Sequence, residues 1–86
     1  MNAAIRAVTR KAIHEGFQVF GIERGYLGLI QEAIFPLRAR DVGGIITQGG
    51  TMLKTARYPE FQDEALQKNA YQILKRYGID HLIVIG

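Results

Sequence analysis

The sequence predicts an α/β domain built on part of a parallel sheet flanked by helices, and three observations carry that reading. Two amphipathic stretches with helical spacing each close at a glycine, Gly16 and Gly78. Each then hands the chain almost at once to a strand-like segment: FQVFGI at 17–22, rich in bulky apolar residues, and HLIVI at 81–85, a continuous apolar run suited to a strand buried on both faces. Helix, glycine, strand is the αβ half of a βαβ unit. The last strand also meets a glycine, Gly86, at the place where open α/β sheets turn toward ligands.

The first helix runs from near Asn2 to Gly16, with Ile5, Val8 and Ala12 on its apolar side beside Ala4. Arg6, Arg10 and His14 recur every four residues and form one ridge, which suits either a solvated stripe or an anion. After the strand at 17–22, ERGYLGLIQEA reads as a glycine-punctuated loop, IFPL as a short extended piece limited by Pro36, and ARDVGGIIT as a short helix starting near Asp41. The connection from Gln48 to Phe61, QGGTMLKTARYPEF, is longer and chemically richer than the roughly two to six residues that such connections need. A second helix begins near Asp63, a residue able to accept from free N–H groups at a helix start. Leu66, Ala70, Ile73, Leu74 and Tyr77 keep one of its faces apolar, and Gln67, Lys68, Gln72, Lys75 and Arg76 keep the other wet. No strand precedes the first helix, so both ends read as interrupted where phosphates would sit.

Composition narrows the function. At 86 residues the chain is a single partial domain, 1–86, and cannot hold two cores. It has no Cys, no Trp and no Ser, which removes disulfides, thiolate metal sites and Cys or Ser nucleophiles. With only His14 and His81 as imidazoles, no transition-metal site is expected. No apolar run approaches the roughly 18 residues of a membrane span, and no secretory leader is evident, so a cytoplasmic protein is expected. The net charge of +3 is mild, without the dense basic stripe usual in nucleic-acid binders, and suits a solvated surface with a slight basic excess or, at best, small anionic ligands.

Four stretches, MNAAIRAVTRKAI, GYLGLI, GGTMLKTARYPEF and LKRYGIDHLIVIG, resemble in order and spacing the N-terminal portion of the bacterial 6-phosphofructokinases. The resemblance covers the whole chain, and GGT with ARYPEF is its most discriminating part. It implies a portion of a parallel, Rossmann-like sheet from a two-domain enzyme, a homotetramer that transfers the γ-phosphoryl group of ATP to the 1-hydroxyl of fructose 6-phosphate. In the family pattern a GGDAPG-like phosphate loop comes before the residue matching Met1 and GDGS comes after the one matching Gly86. The catalytic base and the aspartates that hold Mg²⁺ lie further on, so the 86 residues alone are expected to be inactive and to hold no metal.

The resemblance gives Arg57 a catalytic role, as a contact to ATP that also stabilises charge developing during transfer. It gives Tyr58 and Tyr26 places lining the nucleotide site. Phosphoryl transfer needs charge neutralisation and positioning more than covalent chemistry, which suits a fixed guanidinium. Pro59 restricts Tyr58 to extended backbone and helps to aim the arginine before it. Lys54 is expected to be a solvated charge and Glu60 an ion-pair partner. The resemblance also assigns Arg6 and Arg10 to an allosteric pocket for ADP or phosphoenolpyruvate, completed by Ala39, Arg40, Asp41, Val42, Gly43 and Gly44. Family members commonly carry an acidic residue where this chain has Gly44, and some carry a basic one at Ala39, so the allosteric response is expected to be weak. Gln62 and Gln67 stand where some members have arginine. A non-enzymatic anion-binding module and a pyrophosphate-dependent relative are the alternatives.

Overall fold

A computed structural model describes residues 2–45, 52–54 and 56–85. Its elements are α1 (Asn2–His14), β1 (Val19–Ile22), α2 (Gly25–Ile30), β2 (Ile34–Leu37), α3 (Ala39–Val42), a 3-10 turn (Pro59–Gln62) and α4 (Glu64–Arg76). Gly49, Gly50, Thr51 and Gly86, on which part of the sequence reading rests, lie outside the described residues.

The two long helices end by the same device. At α1 the Phe17 N–H donates to the Ala12 carbonyl at 2.9 Å and the Gly16 N–H to that of Ile13 at 3.0 Å. At α4 the Ile79 N–H donates to Leu74 at 2.9 Å and the Gly78 N–H to Lys75 at 3.1 Å. These are Schellman closures, and they need a residue at positive φ, which Gly16 (88°) and Gly78 (70°) supply. Asp63 caps α4 as expected, its carboxylate accepting from the Ala65 N–H at 2.9 Å.

β1 and β2 form a ribbon with Val19 opposite Leu37 and Ile22 opposite Ile34. Because side chains alternate across a strand, the ribbon has two apolar faces. Val19, Phe35 and Leu37 join Ile5, Val42 and Ile45, with Met52, Leu53 and Ile85 packed alongside. Ile22 and Ile34 join Leu29, Ala70 and Ile73, with Phe61, Leu74 and Tyr77 alongside. Helices therefore cover both faces, α1 and α3 on one and α2 and α4 on the other. This is the layering of an α/β domain.

Four details differ from the sequence reading. IFPL, read as a short extended piece, is a strand that pairs antiparallel with β1. Only residues 23–33 join them, and a parallel return needs a crossover of about a dozen residues or more. GYLGLI is the helix α2, not a loop: its glycines look like punctuation, but Leu29 is driven into the cluster with Ala70 and Ile73. Finally, HLIVI pairs with no strand among the described residues, and Leu82, Ile83 and Val84 are 47%, 64% and 68% exposed. A run of this kind buries both faces only between neighbouring strands, and the ribbon receives it through Ile85 alone. α3 begins at Ala39, two residues before Asp41.

Candidate functional site

On the α2–α4 side three aromatic rings gather. Tyr26, in the first turn of α2, stacks on Phe61 with ring centroids 4.5 Å apart and planes 6° from parallel. Tyr58 leans on the same Phe61 ring at 6.1 Å and 32°. Tyr26 and Tyr58, far apart in sequence, are thus joined through Phe61. The sequence reading missed this residue, although it ends the ARYPEF motif; the signal was its spacing of three from Tyr58 across Pro59. Tyr58 sits just before the 3-10 turn at φ −143° and ψ 70°, with Pro59 as the first residue of the turn, so the ring is held by local backbone as well as by Phe61.

Arg57 precedes Tyr58 directly. It is exposed, and among the described residues no ion pair or hydrogen bond engages its guanidinium. Its guanidinium donors are therefore unengaged among the described residues, on the residue next to Tyr58 in the chain. The segment leading to it is anchored from two sides. The Arg24 N–H, in the turn that opens α2, donates to the Leu53 carbonyl at 2.8 Å, and Lys54 reaches the Glu23 carboxylate at 3.8 Å. From α1, Asn2 accepts from the Met52 N–H at 2.7 Å and donates to the Ile45 carbonyl at 3.0 Å. Glu60, expected as an ion-pair partner, is exposed and forms none among the described residues.

The second group lies across the ribbon. α1 carries Arg6 and Arg10 and packs on α3, the Ala39–Val42 helix, so the structure brings these segments together. Arg10 is exposed, whereas Arg6 is half-buried and its Nε has no hydrogen-bond partner among the described residues. Asp41 is committed to its own helix end. It accepts from the Arg38 N–H at 2.7 Å, and the Arg38 Nε lies 3.2 Å from the same oxygen. These bonds, the backbone one foremost, hold the Asp41 carboxyl below its ordinary 3.8. A side chain at Gly44 would meet nothing within 4 Å, so this position has room for one.

The Asp41 shift has a measurable consequence. A depressed folded-state pKa means that the contribution of the pair is present above the unfolded value and is lost as pH falls through the folded one. The Asp41 carboxyl resonance is therefore expected to titrate with a midpoint below 3.8, and Arg38→Ala to raise that midpoint without bringing it fully to 3.8, since the backbone N–H remains. NMR titration of the carboxyl carbon checks both.

The sequence profile of the phosphofructokinase family matches residues 1–86. The chain belongs to the phosphofructokinase family. It is 54% identical over 86 residues to the ATP-dependent 6-phosphofructokinase of Clostridium botulinum (strain Eklund 17B / Type B), covering all of this chain and 27% of that one. It is equally 54% identical to the ATP-dependent 6-phosphofructokinase of Streptococcus agalactiae serotype III, of which it covers 25%. Among solved structures, phosphofructokinase from Saccharomyces cerevisiae superposes with a TM-score of 0.87 at 40% identity, over 93% of this chain and 11% of that one. Pichia pastoris phosphofructokinase in the T-state gives 0.86 at 39% identity, over 93% and 9%. The chain thus spans about a quarter of the curated phosphofructokinases it matches. The layered α/β arrangement is that of a piece of the phosphofructokinase domain.

Proposed function

We propose that this chain supplies part of the ATP site of an ATP-dependent 6-phosphofructokinase, which phosphorylates fructose 6-phosphate to fructose 1,6-bisphosphate. The observation that carries this reading is the meeting of Tyr26, Phe61 and Tyr58, with the unengaged Arg57 next to Tyr58 in the chain. A purine needs an apolar, stackable wall and a polyphosphate needs fixed cationic donors, and the cluster offers one beside the other. The same cluster favours ATP over pyrophosphate as donor, because pyrophosphate has no ring to stack.

In the reaction the fructose 6-phosphate 1-hydroxyl oxygen forms a bond to the γ-phosphorus, the bond from that phosphorus to the β–γ bridging oxygen breaks, and ADP leaves. The hydroxyl proton goes to a base that this chain does not provide. What the chain provides is binding and charge. The tyrosines and Phe61 hold the nucleotide base, and Arg57 spans donor and acceptor phosphates, stabilising the negative charge that develops between them. Mg²⁺, the metal such enzymes use, finds no fit here: no group of three or more candidate ligands occurs among the described residues, and Glu23 and Asp41 are each taken by a cation. Its ligands belong to other parts of the enzyme.

Across the ribbon, Arg6 and Arg10 with Ala39, Arg40, Asp41, Val42, Gly43 and Gly44 form part of a pocket for the phosphate of ADP or phosphoenolpyruvate in a cytoplasmic homotetramer. The partnerless Arg6 Nε supports this reading. With Asp41 held by Arg38 and no side chain at Gly44, the contacts to the rest of the effector are few and the response is weak.

The test grafts residues 1–86 in place of the matching segment of the Clostridium botulinum enzyme. The graft is expected to form fructose 1,6-bisphosphate from ATP and fructose 6-phosphate, and the 86-residue chain alone to form none. A folded graft of native size with no turnover would refute the assignment; steady turnover by the short chain would refute the division of roles.

A further inference from the structure

Asn2 is an unusual residue to bury at the start of a helix. It is 5% exposed, and its side-chain amide uses both ends. The Nδ2 donates to the Ile45 carbonyl at 3.0 Å, and the Oδ1 accepts from the Met52 N–H at 2.7 Å. One amide in the first turn of α1 thereby fixes residues 43 and 50 positions further along the chain. Met52 then leads to Leu53, whose carbonyl takes the Arg24 N–H two residues before Tyr26. A set of contacts thus runs from α1 through 52–54 to the turn that opens α2, and Arg57 follows Lys54 by three positions in the chain. No other residue type of this size presents a donor and an acceptor in a fixed plane: Asp would lose the donor, and Ala both.

We infer that Asn2 is a positioning residue for phosphoryl transfer, acting through Met52 to hold the segment that carries Arg57 against the body of the domain. The inference rests on the Arg57 role proposed above. Asn2 touches neither substrate; its effect is to keep the guanidinium where the transferring phosphate passes. Misplacement of such a group by about 1 Å lowers rate by up to roughly 10²-fold, so a residue remote from the chemistry can matter as much as one that touches it.

A double-mutant cycle in the grafted enzyme tests this. Asn2→Ala is expected to lower kcat/KM for ATP about 10-fold or more, and Asn2→Asp, which keeps the acceptor for Met52, to lose less. Placed on Arg57→Ala, Asn2→Ala is expected to lower activity little further, because there is no longer a guanidinium to position. A merely structural asparagine would give losses that multiply across the two sites. Additive losses, or an Asn2→Ala enzyme as active as its parent, would overturn the inference while leaving the Arg57 reading intact. An Arg57→Ala enzyme with unchanged activity would overturn both. Should Asn2→Ala fail to fold, the cycle is run with Asn2→Asp, and the same outcomes decide.

Discussion

Replacing Arg57 with alanine in the grafted enzyme is expected to lower kcat by about 10²- to 10³-fold, with little change in KM for fructose 6-phosphate. Removing one preorganised donor aimed at developing charge has effects of that order, and phosphoryl transfer depends on such groups more than most reactions. Stability should hardly respond. The side chain is exposed and engages nothing among the described residues, and surface substitutions of this kind stay within about 0.5 kcal/mol. Arg57→Lys should recover only a small part of the rate, since an ammonium is a point charge without the planar fork that can face two phosphate oxygens. Steady-state kinetics with both substrates varied, together with a thermal melt, separates the two effects. Unchanged kcat in the alanine variant would remove Arg57 from the chemistry.

Gly28→Ala should act in the opposite way, through the fold. A Cβ on Gly28 would fall on the carbonyl oxygen of Glu23, which is backbone and has no rotamer with which to move aside. The Glu23–Arg24 turn is itself fixed, by the Ala33 carbonyl on one side and Leu53 on the other, so α2 has to shift as a unit. That shift pulls Leu29 from the cluster with Ala70 and Ile73, and moves Tyr26 off Phe61. A loss of about 3 kcal/mol is expected, which for a domain of this size lowers Tm by roughly 12–24 °C. Gly44→Ala is the control. Its Cβ enters open space, and its Tm should stay close to that of the parent. Equal melting temperatures for the two variants would show that the close approach at Gly28 is not real.

These two residues also show what the sequence could and could not disclose. Both long helices, their caps and their closing glycines were legible, because amphipathic spacing, Asp63, Gly16 and Gly78 are local signals with local causes. GYLGLI was not. Its Gly28 permits a close backbone contact with Glu23, and its short helix is held by residues some forty positions away on α4, so no window around it reveals a helix. The pairing of IFPL escaped for a related reason: Pro36 marks it only as a short extended piece, and its antiparallel partner is set by the α2 turn between the two strands. The aromatic cluster was half legible. Tyr26 and Tyr58 were singled out by resemblance to the family, while Phe61, which joins them, and the bond from Asn2 to Met52 declare themselves only through contacts in space.

The bare stretch from His81 to Ile85 governs how the short polypeptide behaves in a tube. Its backbone has no ladder among the described residues, three of its apolar side chains face water, and it contains neither proline nor an acidic or always-charged residue to repel a twin. Two such edges can satisfy one another's amides, so loss of the free monomer is expected to quicken as its concentration rises.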